Sequence, residues 1–330
     1  MEVSVQAVMH ATPVVEVVAA VIIQADGQFL LAQRPEGKVY AGYWEFPGGK
    51  VEPGESPMHA LERELWEELA IQVRLAYPWI TKVFEYPHAT VRLNFFRVVA
   101  WEGMMIPREN QSLCWQLPQQ VTVAPVLPAN DPILRALSLP PVYAVTNASG
   151  IGIQPALDKI ERALSQGVRL LQIREKQMAK AELKKFAGDV LSMAHRAQAK
   201  VLINGDLALA RELGADGVHL TASQLMALPS RLDPDDGLCG ASCHNSEELV
   251  AAERLGLDFA VLGPVQPTLT HPGMPPLGWR RFAALIRGYS LPVYALGGLC
   301  SADLAIAQEF GAHGIAMMRG IGESNESAFP

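Results

Sequence analysis

Three glutamates, Glu64, Glu67 and Glu68, have the spacing that points most clearly to chemistry. Residues 56–69 have helical apolar spacing, and the glutamates stand at i, i+3 and i+4, so they share one helix face. Like charges on one face repel unless a cation binds between them. Oxygen-only ligands suit Mg²⁺ or Mn²⁺, which in turn bind phosphate oxygens, so this face predicts a metal site. A solvated acidic surface is the alternative for three glutamates alone.

The surrounding segment, residues 49–71, resembles the Nudix signature G-x5-E-x7-R-E-U-x-E-E-x-G-U, where U is a bulky aliphatic residue. Every defined position matches except one, because Ala70 stands where the family has glycine. Glycine suits a left-handed helix end, so alanine there is expected to cost about 1 kcal/mol. The resemblance implies a Mg²⁺-dependent hydrolase of a nucleoside diphosphate-linked substrate, with Mn²⁺ able to substitute. Arg63 and Glu55 are expected to pair and brace the loop against the helix.

Two flanking segments, WEFPGGK (residues 44–50) and LPANDP (residues 127–132), resemble the MutT-type 8-oxo-dGTP diphosphatases. In that family the asparagine that matches Asn130 hydrogen-bonds the oxidised guanine. The matching Arg34 contacts the base or phosphate region, and Phe46 belongs to the nucleotide pocket. Capping of a helix N-terminus is the alternative role for Asn130.

The resemblance implies conversion of 8-oxo-dGTP to 8-oxo-dGMP and pyrophosphate, which would sanitise the nucleotide pool for DNA replication and prevent mutation. A thiamine-pathway diphosphate is the alternative substrate. The predicted catalytic residues are Glu64, Glu67, Glu68, Arg63 and Glu55; the predicted metal ligands are Glu64, Glu67, Glu68 and Glu109; the predicted nucleotide-binding residues are Arg34, Phe46, Gly48, Gly49 and Asn130.

After residue 141 the pattern changes to short apolar runs that alternate with helical stretches. Eight such runs with seven helical connections predict a parallel sheet closed into a (β/α)8 TIM barrel. A doubly wound open sheet is the alternative. The runs are almost continuously apolar, as expected for strands covered on both faces.

This second half resembles thiamine-phosphate synthase and its TenI-type relatives over nearly its whole length. The motifs that carry the resemblance include QIREK (172–176), GASCH (240–244) and LGPVQPTLTHPG (262–273). The resemblance implies a phosphorylated thiazole or pyrimidine ligand at the C-terminal ends of the strands. The ligand-binding residues it implies are Gln172, Arg174, Lys176, Asn204, Ser242, Thr268, Thr270 and Gly298.

The barrel also departs from the synthases, which place metal-binding aspartates where this chain has Gly205 and Gln224. Mg²⁺-diphosphate binding is therefore expected to be weak. The TenI-type thiazole tautomerases also lack these aspartates, and their proposed acid–base histidine matches His244. Synthase, tautomerase and a non-catalytic binding module remain open for this barrel.

The chain has 330 residues and a formal net charge of −7, with −5 before residue 138 and −2 after it. Neither half has a basic excess, so extended nucleic-acid binding is not expected. Four cysteines, no signal-peptide pattern and no long apolar run predict a cytoplasmic protein without a disulfide framework or membrane span. The predicted division is a Nudix α/β/α sandwich with a mixed sheet (1–137), a linker (138–141), the barrel (142–322) and a tail (323–330).

Overall fold

The computed structural model describes residues 14–268 and 275–321. The N-terminal strands are β1 Val14–Ile22, β2 Phe29–Gln33, β3 Trp44–Glu45, β4 Gly48–Lys50, β5 Gln72–Tyr86, β6 Ala89–Glu102 and β7 Leu113–Gln116. The helices of this part are α1 Pro57–Leu69 and α2 Asp131–Leu137.

The central N-terminal sheet has the strand order β4-β1-β6-β5, with β1 parallel to β6 and the other pairs antiparallel. Alternate residues of β1 face opposite helices. Val18 and Ile22 pack with Leu61 and Leu65 of α1, whereas Val21 packs on the other side in a cluster that includes α2. The mixed sheet therefore lies between two helices, as the predicted α/β/α sandwich requires.

The apolar runs of residues 14–23 and 29–33, joined by the Asp26-Gly27 turn, predict a β-hairpin, and the structure has that hairpin only in part. The turn exists, because the Gln24 amide donates to the Gln28 carbonyl at 2.9 Å and Ile23 bridges Phe29. Beyond that bridge, β2 leaves β1 and pairs with β3 and β7 in a second, antiparallel sheet. The predicted pairing of β1 with β2 was wrong beyond the turn, because turn residues specify only the turn. Burial of β1 on both faces and its long pairing with β6 decide its neighbours.

Helix α1 begins and ends as its sequence predicts. Ser56 is the N-cap and accepts a hydrogen bond from the His59 amide at 3.3 Å, with Pro57 at the first helical position. The helix ends at Ala70, whose φ of +60° is left-handed. The family glycine at this position is thus replaced by alanine without a change of backbone conformation.

The second part of the chain forms a closed parallel barrel in the order β8 to β15. Its strands are β8 Val142–Val145, β9 Leu170–Ile173, β10 Lys200–Asn204, β11 Gly217–Leu220, β12 Leu238–Cys243, β13 Phe259–Leu262, β14 Val293–Leu296 and β15 Gly314–Met317. Its helices are α3 Ala148–Ile151, α4 Ile153–Ser165, α5 Lys180–Arg196, α6 Leu207–Leu213, α7 Ala222–Ala227, α8 Ser246–Arg254, α9 Gly278–Ile286 and α10 Leu304–Glu309. The barrel prediction is confirmed, and the open-sheet alternative is wrong.

Aromatic rings fill the interior of the barrel. Tyr143, Phe259 and Tyr294 are fully buried there, and their ring centroids lie 5.2–5.8 Å apart. The outer faces of the strands pack against the helices in a separate, larger cluster. Each helix in the described ranges is too short or too polar to cross a bilayer.

A buried arginine joins the two parts of the chain. Arg97 of β6 is 6% exposed, and its guanidinium donates to the His313 carbonyl at 2.9 Å and lies 2.9 Å from the His313 Nδ1. It also stacks over the Trp79 ring at 4.3 Å. The His313 Nε2 in turn lies 2.9 Å from the Leu139 carbonyl. Because a carbonyl can only accept, this ring nitrogen carries the proton and donates it to Leu139. Burial lowers the pKa of Arg97 to about 9, which leaves it charged at neutral pH.

This joint lies at the N-terminal end of the barrel strands, because Leu139 precedes β8 and His313 precedes β15. A further hydrogen bond across it runs from the Thr81 amide to the Tyr289 carbonyl at 3.0 Å. Active sites of such barrels lie at the opposite, C-terminal end of the strands. The N-terminal part therefore closes the end of the barrel where no site is expected.

Replacement of Ala70 by glycine should stabilise the protein by about 1 kcal/mol, because glycine adopts the left-handed conformation without strain. Ala197 ends α5 with a φ of −90°, so Ala197→Gly should bring no gain. Urea unfolding of both variants measures the difference. Equal effects of the two substitutions would show that the left-handed conformation carries no strain.

Arg97→Ala should destabilise the protein by about 2 kcal/mol or more, because it leaves buried acceptors of His313 without a donor. The matched control is Arg92→Ala on the same strand, where the arginine makes an exposed ion pair with Glu16. That pair is expected to contribute less than about 1 kcal/mol. Scanning calorimetry of both variants tests this, and a cost for Arg97→Ala no larger than for Arg92→Ala would contradict it.

Candidate functional site

The first candidate site lies on helix α1 and the loop before it. Arg63 holds Glu55 through two hydrogen bonds of 3.0 Å and also donates to the Lys50 carbonyl at 3.0 Å. The expected brace between Arg63 and Glu55 is therefore present. The same guanidinium lies 2.8 Å from Glu64 and 3.2 Å from Glu67, so one cation faces three carboxylates.

Glu68 points from the same helix into a more enclosed environment. It accepts a hydrogen bond from the Gly48 amide at 3.2 Å. Burial, and next the negative charge of Glu109, raise the pKa of Glu68 to about 8; Glu45 and Glu64 act in the same direction. The structure thus brings Glu109 to the α1 glutamates, although 41 residues separate it from Glu68. An excess of negative charge marks this end of the site.

The two glycines of the loop permit this close approach. Gly48 has a φ of +145°, and a Cβ there would lie 2.1 Å from the Val18 carbonyl oxygen. A Cβ on Gly49 would lie 2.3–2.4 Å from the carboxylate atoms of Glu64. The loop can therefore rest on the glutamate only because both side chains are absent.

The donor set suits a hard divalent cation, since Glu64, Glu67, Glu68 and Glu109 offer only oxygen atoms. In residues 14–268 and 275–321, no group of three or more His, Cys, Asp or Glu side chains is already arranged around one metal position. Arg63 holds Glu64 and Glu67, and Lys38 forms an ion pair with Glu109. Metal binding would require these side chains to turn from their ion pairs, and the ligand set stays a prediction.

Glu45 is a further residue of the Nudix site, and the sequence analysis did not predict it. Both of its carboxylate oxygens accept from the Arg34 guanidinium, at 2.5 and 2.6 Å. Burial raises the pKa of Glu45, and the positive charge of Arg34 opposes that shift. Its position in the sequence could have indicated this role, because Glu45 belongs to the segment WEFPGGK that resembles the MutT-type enzymes.

An aromatic cluster of Tyr40, Tyr86 and His88 lies beside this ion pair. The three ring centroids are 5.6–6.1 Å apart. Burial, and next the negative charge of Glu45, raise the pKa of Tyr86 to about 12, which places the phenol near the ion pair. The cluster was also missed, because its members come from two separate turns that form no sequence motif.

Asn130 and Phe46 lie deeper than Arg34. Phe46 is buried between Phe29 and Phe95, with ring centroids 5.8 and 5.9 Å away. Asn130 is 4% exposed, and its side chain makes no capping hydrogen bond to α2. Its Nδ2 has no hydrogen-bond partner within the part of the chain that the structure describes. The capping alternative for Asn130 thus lacks the bond that it requires.

The second candidate site is a cavity of about 650 Å³ at the C-terminal ends of the barrel strands. Seven of the eight predicted ligand-binding residues and the candidate acid–base histidine line it: Gln172, Arg174, Lys176, Asn204, Ser242, Thr268, Gly298 and His244. The eighth, Thr270, lies outside the described residues. The cavity opens at the end of the barrel opposite to the Arg97 joint.

Positively charged side chains lie close together in the wall of the cavity. The positive charge of Arg174, and next burial, lower the pKa of Lys176, so the two cations lie near each other. Arg319, from the loop after β15, also lines the cavity. Three basic side chains around one cavity favour an anionic ligand.

Gly205 and Gln224, the two positions where the resemblance to the synthases implies metal-binding aspartates, contact each other in the structure. The Gln224 Nε2 donates to the Gly205 carbonyl at 2.7 Å, and the Gln224 side chain also closes the capping box of α7. The neighbouring Asp206 caps α6 by accepting from the Leu209 amide at 2.9 Å. A neutral hydrogen bond and two helix caps therefore occupy the region where a metal-binding pair would lie.

His244 lies at the mouth of the cavity rather than in its depth. Its Nδ1 is 3.0 Å from the Glu248 carboxylate, one helical turn further along the chain. A different histidine, His219, is buried in the barrel and contacts Ser242. The sequence analysis did not predict a role for His219, which lies in the apolar run of β11.

Residues 13–137 match the family model of the NUDIX domain, and residues 142–321 match the model described as thiamine monophosphate synthase. The second match alone covers more than half of the chain. The chain belongs to both families. It joins an N-terminal Nudix domain to a C-terminal barrel of the thiamine-phosphate synthase and TenI family.

Relatives of each domain are similar over most of their own length. The Nudix domain is 43% identical over 122 residues to a CTP pyrophosphohydrolase of Escherichia coli (strain K12), a match that covers 37% of this chain and 90% of that protein. The barrel is 35% identical over 179 residues to a thiamine-phosphate synthase of Thermus thermophilus, covering 54% of this chain and 86% of that protein. A solved structure from a study of MutT of Aliivibrio salmonicida and Vibrio cholerae is 32% identical, covers 38% of this chain and 97% of that chain, and has a TM-score of 0.34.

Above about pH 8, where Glu68 is ionised, Glu68→Gln should raise the melting temperature of the metal-free protein, because it removes a desolvated negative charge that faces other glutamates. It should also reduce the further rise in melting temperature that Mg²⁺ produces. Glu62→Gln is the matched control, since Glu62 is exposed on the same helix. Thermal unfolding in EDTA and in Mg²⁺ compares the variants, and a Mg²⁺ response of Glu68→Gln equal to that of the wild type would contradict this role.

Proposed function

We propose that the Nudix domain is a divalent-metal-dependent pyrophosphohydrolase whose substrate is 8-oxo-dGTP. Water adds to a phosphorus of the triphosphate, and the products are 8-oxo-dGMP and pyrophosphate. The observation that carries the choice of base is Asn130, a buried amide whose Nδ2 has no partner in the described part of the chain. Such a group costs stability, so a ligand that completes its hydrogen bonds explains its presence.

The chemistry of guanine oxidation fits an asparagine. Unoxidised guanine presents two acceptors, O6 and N7, on one edge. Oxidation at C8 converts N7 from an acceptor to an N–H donor. A carboxamide offers one donor and one acceptor, so Asn130 could donate to O6 and accept from N7–H. The same side chain would leave one mismatched hydrogen bond with unoxidised dGTP.

The charges of the site suit the triphosphate. Glu64, Glu67, Glu68 and Glu109 would hold the metal, which when bound neutralises phosphate oxygens and acidifies water. Arg63 and Glu55 keep the loop of Gly48 and Gly49 against α1. Arg34 is paired with Glu45, beside the aromatic cluster of Tyr40, Tyr86 and His88. The protein's own residues would therefore bind and orient the whole nucleotide, from its phosphates to its base.

A second candidate substrate is CTP, which is the substrate in the name of the 43% identical Escherichia coli relative. Glu45 is the residue that favours it, because a carboxylate can accept a hydrogen bond from the exocyclic amine of cytosine. In the structure both carboxylate oxygens face Arg34. Cytosine recognition by Glu45 would therefore share that carboxylate with the arginine.

A pyrophosphohydrolase panel decides between these substrates. It contains 8-oxo-dGTP, dGTP, CTP and thiamine diphosphate, assayed with the intact chain and with Glu67→Gln. We expect the highest kcat/KM on 8-oxo-dGTP, and a loss of at least about a hundredfold in Glu67→Gln. Equal kcat/KM on 8-oxo-dGTP and dGTP would refute the proposal, and preference for CTP would support the second candidate.

Asn130→Ala should lower kcat/KM for 8-oxo-dGTP by roughly 10- to 100-fold, because one or two buried hydrogen bonds to the base are lost. The kcat/KM for CTP should change much less. The ratio of the two values is the readout, since a general loss of fold lowers both. An unchanged ratio would exclude Asn130 from base recognition.

We propose for the barrel that it binds a phosphorylated thiazole or pyrimidine without a divalent cation. Arg174 and Lys176 supply positive charge, and the Gly205–Gln224 hydrogen bond stands where synthases hold a metal. His244, paired with Glu248, is the candidate acid–base group if the barrel is a thiazole tautomerase.

Calorimetric titration of the full chain with a thiazole phosphate, in EDTA and in Mg²⁺, tests this proposal. Equal affinity in both conditions is expected, and binding only with Mg²⁺ would refute it. A tautomerase assay of wild type and His244→Asn separates catalysis from binding. Activity lost in the variant supports the tautomerase, whereas binding without activity in the wild type supports a non-catalytic module.

A further inference from the structure

A chain of hydrogen-bonded polar groups crosses the barrel interior at the cavity, and its four members contribute to the cavity lining. The Gln172 Nε2 donates to the Tyr143 hydroxyl at 3.0 Å, and that hydroxyl lies 3.2 Å from the His219 Nδ1. The His219 Nε2 lies 2.9 Å from the Ser242 Oγ. Gln172, Tyr143 and His219 are at most 3% exposed, whereas Ser242 is only partly buried. The chain therefore runs from the barrel interior to the wall of the cavity.

Strand alternation places the four residues inside the barrel. They lie on β8, β9, β11 and β12, and the barrel register aligns Gln172 with Val145 of β8 and His219 with Gly240 of β12. The surrounding side chains are aromatic or aliphatic, including Phe259 and Tyr294. Buried polar groups in such surroundings require hydrogen-bond partners, and each of these has one in the chain.

The direction of the chain follows from its first donor. The Tyr143 oxygen accepts from the Gln172 amide, so its own proton is available for the unprotonated Nδ1 of His219. Neutral histidine carries one N–H, which must then be on Nε2 and must donate to the Ser242 Oγ. The Ser242 oxygen accepts this bond, and its hydroxyl proton remains available for the cavity.

We propose that Gln172, Tyr143 and His219 are positioning residues that hold the Ser242 hydroxyl as a hydrogen-bond donor toward a phosphate oxygen in the barrel cavity. This inference rests on the proposed phosphorylated ligand of the barrel. It assigns His219 a role distinct from that of His244, because His219 acts by orienting the Ser242 hydroxyl.

Two observations agree with this direction of the hydrogen bonds. Burial, and next the positive charge of Arg174, lower the pKa of His219 to about 3, so the ring is neutral at physiological pH. The cavity also carries Arg174 and Lys176, which match a ligand rich in acceptors. A hydroxyl directed as a donor adds to these cations, whereas a hydroxyl committed to His219 would offer the ligand only a lone pair.

The first experiment determines the tautomer of His219 by ¹⁵N NMR of the full chain labelled at histidine. His219→Gln identifies the resonance. We expect a proton on Nε2 and none on Nδ1 between about pH 5 and 8. A proton on Nδ1 in the wild type would overturn the proposal, whatever the barrel binds.

The second experiment measures binding of inorganic phosphate to the full chain in EDTA, by chemical shifts of the barrel residues. Ser242→Ala should weaken binding by about tenfold, as expected for loss of one charge-assisted hydrogen bond. The control is Ser165→Ala. Ser165 is a surface serine of α4 whose hydroxyl donates to the Arg162 carbonyl, and its replacement should not change phosphate binding. Equal affinity of the Ser242→Ala variant and the wild type would overturn the donor role.

Tyr143→Phe tests the link of the chain that precedes His219. Loss of the hydroxyl leaves the His219 Nδ1 without its donor, so we expect both tautomers and a smaller loss of phosphate affinity than in Ser242→Ala. A variant with the wild-type tautomer and wild-type affinity would overturn the positioning role. Absence of phosphate binding in the wild type would instead refute the proposed barrel ligand, and the tautomer would still decide the direction of the chain.

Discussion

The arrangement of the two domains depends on one buried cation, Arg97, at the N-terminal end of the barrel. The guanidinium is satisfied by a carbonyl, a ring nitrogen and an indole face rather than by a carboxylate. Desolvation of a charge is costly, so this residue is stable only while both domains surround it. The joint therefore makes the Nudix sheet the closing surface of one barrel end and leaves the opposite end open for a ligand.

The two candidate sites differ in the charge that they present to a phosphate group: the Nudix site is rich in carboxylates, and the barrel cavity is rich in basic side chains. The Nudix site concentrates carboxylates around α1, so that Glu68 is held in an environment which disfavours its charge. Such a site needs a cation before it can accept an anion. In the barrel, Gln224 bonds to Gly205 at the two positions where the resemblance to the synthases implies aspartates. The cations Arg174 and Lys176 line the cavity, so the positive charge there comes from the protein's own side chains.

Local sequence predicted much of this structure, because the relevant signals were short in range. Leu61, Leu65 and Leu69 specify the buried face of α1, and Ser56 and Ala70 mark its ends where the structure has them. The eight apolar runs likewise predicted the barrel. The hairpin of β1 and β2 failed because β-sheet partners are decided by distant strands. Glu45, Tyr86 and His219 were missed for the same reason, since their importance comes from neighbours far apart in sequence.

The sequence by itself determined the two families and the carboxylate face of α1, and it showed Gly205 and Gln224 where the resemblance to the synthases implies aspartates, because each is a matter of residue type at fixed spacing. Only the tertiary structure decided which groups are buried without a partner and which are bonded. Asn130 has an unpaired amide nitrogen in the described structure, whereas Asp206 and Gln224 are committed to helix caps. The reason is physical: burial and hydrogen bonding depend on the atoms that the fold brings together, and residue spacing along a chain does not specify them.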